Sequence, residues 1–134
     1  MMAWLNPSIS NGDVVGYSGY NPTWGYTLTC YDNVLGIRFQ DSLSTWYEAF
    51  SSIAVSLNTW QYIAVTYNQQ NAKFYVNGTL QQTVPYTHSA ANVSSTINIG
   101  SVGWSPQSGS IDDVRIYSRA LSPAQISAMY AGGK

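Results

Sequence analysis

Asp112, Asp113, Arg115 and Arg119 fall within eight positions of the stretch "SGSIDDVRIYSRALS", in a chain of 134 residues of which only 8% are charged. Side chains of these types, so close together, suit three kinds of chemistry. Two carboxylates can share acid and base work, they can join backbone carbonyls and Asn side chains in an oxygen cage for calcium, or acids and arginines can brace the junction of two elements. On a strand from 111 to 117, adjacent residues point to opposite faces, so Asp112 and Asp113 make a poor catalytic pair. The brace is the preferred reading: Asp112 accepts hydrogen bonds from loop amides or pairs with Arg119, while Asp113 and Arg115 are neighbours on the opposite face. Asp112 is expected to share the parity of Val114 and Ile116, which point to the core. A calcium site at Asp112 and Asp113 remains the alternative.

Other reactive side chains are few. Cys30 and His88 are single residues of their kinds. Cys30 lies in a strand pattern and His88 in the polar loop "YTHSAAN", and two such residues are too few to hold zinc. The sequons at Asn77 and Asn92 are explained by a turn and a loop.

Aromatic residues are the richer signal. "GYSGYNPTWGYTLTCY" (16 to 31) sets Tyr17, Tyr20, Trp24, Tyr26 and Tyr31 among Gly, Ser, Asn and Thr, and "STWYEAF" adds Trp46 and Tyr47. Flat rings beside short polar groups suit sugars, whose C–H faces stack while their hydroxyls hydrogen-bond, and they also suit protein partners. Tyr26, Trp60, Tyr62 and Phe74 sit inside strand patterns and are assigned to the core. Tyr20, Trp24 and Trp104 sit in Gly/Pro/Asn/Ser loops, where burial is less expected. These three form the candidate ligand patch, with Asn21 and Gln107 as polar partners.

The elements that must hold these residues are strands. Short runs rich in Val, Ile, Thr, Tyr and Phe alternate with Gly, Asn, Pro and Ser punctuation. "TWQYIAVTYN" (59 to 68) is apolar on both faces and reads as a central strand. "AKFYVNGTLQQTV" (72 to 84) is a hairpin around Asn77-Gly78, a pair that tolerates the positive φ of a type I′ turn. "GYTLTCY" and "VLGIRF" form another across Asp32-Asn33, and "STINIGS" and "IDDVRIY" add further strands. Seven or more short strands predict an all-β, two-sheet antiparallel sandwich. One short C-terminal helix is expected, with Ser122 as N-cap, Pro123 at the first position and Gln125 closing a capping box. Leu121 and Ile126 form its hydrophobic staple, Ile126, Met129 and Tyr130 its apolar face, and Gly132 its end.

"LNTWQYIAVTYNQQNAKFYVNGTL", then "INIGS", then "GSIDDVRIYSRALSPAQISAMY", resembles the laminin G-like domains of the concanavalin A-like lectin and glucanase superfamily. The resemblance runs from "MAWLNP" to Tyr130 and implies a jelly-roll sandwich over a single domain, residues 1–134. Family members usually carry several tens of residues ahead of the segment that "MAWLNP" resembles. The uncovered edge expected without those opening strands predicts a homodimer. The signature around Asp112 and Asp113 occurs in the family regardless of ligand, and some relatives bind calcium. The glucanase branch uses E-x-D-x-x-E, two carboxyls about 5 Å apart. This chain has Glu48 as its one glutamate, without that motif, so catalysis is not expected.

Composition excludes other classes. A net charge of −1 with five scattered Lys and Arg residues offers no footprint for nucleic acid. No apolar run approaches the roughly 18 residues of a membrane span, and "MMAWLNPSISNG" lacks the pattern of a signal peptide. The resemblance implies an extracellular or cell-surface setting. The expected function is a non-catalytic carbohydrate-binding or adhesion module, with a protein-interaction or structural module as the alternative and a glycan-active enzyme behind both.

Overall fold

The computed structural model describes residues 1–18, 25–40, 45–88, 96–102 and 105–133. Twelve strands occur among them: β1 (Met2–Pro7), β2 (Gly12–Ser18), β3 (Tyr26–Tyr31), β4 (Val34–Gln40), β5 (Trp46–Ala54), β6 (Gln61–Tyr67), β7 (Asn71–Val76), β8 (Thr79–Pro85), β9 (Thr96–Ile99), β10 (Ser101–Val102), β11 (Ser105–Pro106) and β12 (Gly109–Arg115). Helix α1 (Pro123–Gly132) follows. The smaller sheet has the order β12-β1-β6-β7-β8. The larger runs β10-β11-β2-β3-β4-β5, with β9 also on β2. All pairings are antiparallel except the single Pro106 to Asp13 bridge. The chain is thus the two-sheet jelly-roll sandwich with a C-terminal helix that its sequence implies.

Turn chemistry fixes the registers. Asp32 and Asn33 (φ 49° and 64°) and Asn77 and Gly78 (φ 50° and 76°) take the left-handed conformation at both central positions, as type I′ hairpins require. Asn77 is also clasped to β6: the Tyr62 amide donates to its Oδ1 at 2.9 Å, and its own amide donates to Tyr62 O at 2.7 Å. β6 is central, between β1 and β7, and residues 61 to 66 are buried.

Between the sheets, Leu28, Cys30, Leu35, Ile37 and Phe39 meet Ala3, Leu5, Ile63, Val65, Ala72 and Phe74. Each fully buried large apolar side chain contributes about 1.5–3 kcal/mol. A second cluster lies on the outer face of the smaller sheet, where Leu121 and Ile126 bury Met2, Tyr62, Ala64 and Tyr75. The helix is set there by its start. The Gln125 amide donates to Ser122 Oγ, the Ser122 amide donates to Gln125 Oε1, and Pro123 opens the first turn. It ends one residue later than expected, with Gly133 as the cap.

Two expectations need correction. Trp60 is 46% exposed rather than core, because β6 starts at Gln61 and leaves the indole beyond the helix's cover. Tyr62 and Phe74 are fully buried, and Tyr26 is half-buried against Phe39. The parity along β12 is broken by a bulge. Trp4 pairs with Asp112 but Met2 pairs with Arg115, and Asp113 has φ 47°. Ile111, Val114 and Ile116 therefore all pack on the core, while Asp112 turns to the outer face beside Trp4.

Candidate functional site

The outward residues of the larger sheet follow from the pairing of β3 with β4. Because Leu28, Cys30, Leu35, Ile37 and Phe39 face the core, Thr27, Thr29, Tyr31, Gly36, Arg38 and Gln40 face away from it. Arg38 pairs across to Glu48 on β5, and Thr29 to Asp13 on β2. Trp46 pairs with Gln40 and is 44% exposed. The outer face thus carries a row running Asp13, Thr29, Arg38, Glu48, Trp46, and the last three of Arg38, Trp46 and Glu48 line one shallow, open depression.

Arg38 organises the row. Its Nε lies 2.9 Å from Glu48 Oε1, a contact that is an ion pair rather than a hydrogen bond because the N–H points off line. Its Nη1 is 3.8 Å from Asp13 Oδ1. The guanidinium also sits 5.4 Å from the Tyr31 ring and 5.8 Å from that of Phe50, within range of cation–π attraction. Gly36 makes this possible, since a Cβ there would lie 2.4 Å from the Phe50 ring. Asp13 is 4% exposed, and its Oδ1 has no hydrogen-bond partner among the described residues. Burial pushes its carboxyl up to about 6, against the smaller opposing pull of a hydrogen bond from Thr29 and the charge of Arg38.

The sequence-derived residues fall in different places. Tyr20, Asn21, Trp24 and Trp104 lie outside the described residues. The strand ends that flank 19–24, at Ser18 and Tyr26, belong to the end of the sheet that carries Gln40 and Trp46. Gln107 packs against Gly12, whose missing side chain makes room for it, and its Oε1 is buried without a partner among the described residues. Gly12 pairs with inward-facing Cys30, so Gln107 is not part of the outward row.

Asp112 and Asp113 resolve largely as a brace. Asp113 Oδ1 accepts from Arg115 Nε at 2.8 Å, as expected, and Asp112 Oδ1 accepts from the Asp113 amide at 2.7 Å. Arg119 instead donates to Gln125 Oε1 at 3.1 Å, tying the strand exit to the helix cap rather than to Asp112. Arg115 supplies Asp113 with a positive charge, and both carboxylates lie beside Trp4 and Gly133. Among the described residues no three His, Cys, Asp or Glu side chains converge.

Cys30 is buried and its thiol is pushed up to about 11 by desolvation, the opposite of an activated nucleophile. His88 stacks on Tyr47 with ring centroids 3.8 Å apart, and its carbonyl accepts from the Tyr67 hydroxyl. Asp13 and Arg38 are the members of the row that sequence reasoning missed. Arg38 carries a readable signal: a two-residue turn at Asp32-Asn33 pairs it with Thr27 and opposes its parity to that of Ile37 and Phe39.

The sequence profile of the concanavalin A-like lectin/glucanases superfamily matches residues 1–127. Among solved structures, the receptor binding domain of botulinum neurotoxin D superposes with a TM-score of 0.72 at 19% identity, covering 98% of this chain and 36% of that one. The binding domain of Paraclostridial Mosquitocidal Protein 1 gives 0.67 at 18% identity, with 98% and 36% covered. The native heptameric SAP-like pentraxin from Limulus polyphemus gives 0.72 at 18% identity, with 96% and 67% covered. At these identities the likeness is one of fold, and this chain spans little more than a third of the toxin chains. No curated protein matches.

Proposed function

Since the chain belongs to the concanavalin A-like lectin/glucanases superfamily, we propose that it is a non-catalytic module that binds glycans on the outer face of its larger sheet. The observation that carries this reading is the exposed Trp46 indole beside the Arg38–Glu48 ion pair, in one open depression. An indole face takes the C–H side of a sugar ring, and a guanidinium with a carboxylate offers donors and acceptors for its hydroxyls. Tyr20, Asn21, Trp24, Trp104 and Gln107 are further candidate contacts in this reading. Asp13 and Glu48 both face Arg38, which suits them to holding charge in place rather than to acting as nucleophile and acid. The likeness to toxin receptor-binding domains is in keeping with binding and supports an extracellular setting.

A screen of glycans and polysaccharides against the purified chain tests the proposal, run in calcium and again with a chelator. Binding that persists under chelation and falls at least about tenfold in Trp46→Ala, a loss of about 1.4 kcal/mol, supports it. Binding lost on chelation would assign Asp112 and Asp113 to a calcium ion. No binding to any glycan would favour a protein partner, a second reading that Ile97 and Ile99 support, since they lie 45% and 58% exposed on β9. Self-association is proposed through an uncovered strand edge, and sedimentation showing only monomer at tens of micromolar would remove it.

A further inference from the structure

We propose that the outer face of the smaller sheet carries a second ligand site, a cleft between Trp4, Trp60 and Asp112 that takes the ammonium group of an amino sugar. The cleft has a volume of ≈ 230 Å³ and is closed on one side by Gly133 at the end of α1. Strand register brings its walls together. Asp112 is the direct partner of Trp4 across β1 and β12, and Tyr62 is Trp4's partner on β6, two residues along the same face from Trp60. Helix α1 covers Tyr62 but stops short of Trp60, which stays 46% exposed. The missing side chain of Gly133 keeps the cleft open, since a Cβ there would stand 3.1 Å from Trp4 Nε1.

Two features define the ligand. The exposed Trp60 indole offers a negative ring face, which attracts a cation and also stacks on the C–H side of a sugar. Asp112 has no ion-pair partner among the described residues, because the nearby Arg115 is engaged with Asp113. Trp4 forms the wall behind them, packed against Tyr62 and Tyr130 with ring centroids 5.4 and 5.6 Å apart. A neutral sugar brings no cation to Asp112, and a plain alkylammonium brings no ring to Trp60. An aminated sugar ring brings both, with its ammonium on Asp112 and its C–H side on Trp60. The site lies on the other sheet from Trp46 and does not depend on the function proposed there.

The experiment is calorimetric titration of the full chain at pH 6 with the β-1,4-linked trimer of glucosamine and with its fully N-acetylated counterpart. The glucosamine trimer is expected to bind at least about tenfold more tightly, the scale of a cation–π contact joined to a charge contact. Asp112→Asn is expected to cancel that preference, and Trp60→Ala to remove binding. Both side chains are exposed, so thermal melting of each variant should match the parent. Equal binding of the two trimers, no binding of the glucosamine trimer, or an unaltered titration in Asp112→Asn or Trp60→Ala would each overturn the proposal.

Discussion

The two sheets turn very different outer faces to their surroundings, although the same alternation of side chains builds both. On the smaller sheet the outward positions are Met2, Tyr62, Ala64 and Tyr75, all buried beneath Leu121 and Ile126 of the helix and its approach. On the larger sheet they are Asp13, Thr29, Arg38, Glu48 and Trp46, and Glu48 and Trp46 stay exposed. One face is finished by a third layer and serves stability. The other buries Asp13 and Thr29 but leaves Glu48 and Trp46 exposed, and that uncovered part remains available to a ligand. Trp4 and Trp60 mark the border of the first regime, where the helix cover gives out.

That contrast is tested most severely by Ile126→Ala. The side chain is fully buried, so urea unfolding should show a loss of about 2–5 kcal/mol, with the larger sheet's ligand contacts unaffected in the fraction still folded. Asp13 comes next. Its folded carboxyl sits near 6, above its ordinary 3.8, so the unfolded chain releases the proton first. Stability is therefore full below about pH 4 and declines as pH rises through 6, by up to about 3 kcal/mol for a shift of this size. Melting curves of the parent between pH 4 and 7 should show this decline, and Asp13→Asn should flatten it. A decline that survives Asp13→Asn would mean another group carries it. Trp46→Ala then separates binding from stability: at least a tenfold loss of glycan affinity, with unfolding free energy changed by less than about 0.5 kcal/mol. Should it unfold the protein instead, the larger sheet's outer face is structural too. Ser122→Ala is the smallest, costing about 1 kcal/mol through loss of the helix cap and loosening only the covered face.

Local chemistry was legible wherever neighbours in sequence are neighbours in space. Asn77-Gly78 and Asp32-Asn33 announced their hairpins, and Ser122, Pro123 and Gln125 announced the helix start, because each is decided within four residues. The resemblance then supplied the long-range arrangement that local patterns leave open. Two things escaped. The bulge at Asp113 shifts β12 by one residue, and no propensity marks an aspartate that takes positive φ there. The charged row escaped because Asp13, Arg38 and Glu48 are widely separated along the chain and meet only through the pairing of β2, β3, β4 and β5. Trp60 was misread for a related reason: its pattern showed which way it faces but not how far the helix reaches.

The position of β1 has a consequence for how the molecule is made. It lies between β6 and β12, so among the described strands the earliest is completed only by the latest. During synthesis its β12 side must stay unpaired until residues beyond 109 have emerged, while the β2 to β5 meander can already form from neighbouring segments. Pairings that span so much of the chain fold slowly, and a waiting strand edge is open to capture by the equivalent strand of another copy. Refolding should accordingly be concentration-sensitive: dilute chains close on themselves, and crowded ones exchange β12.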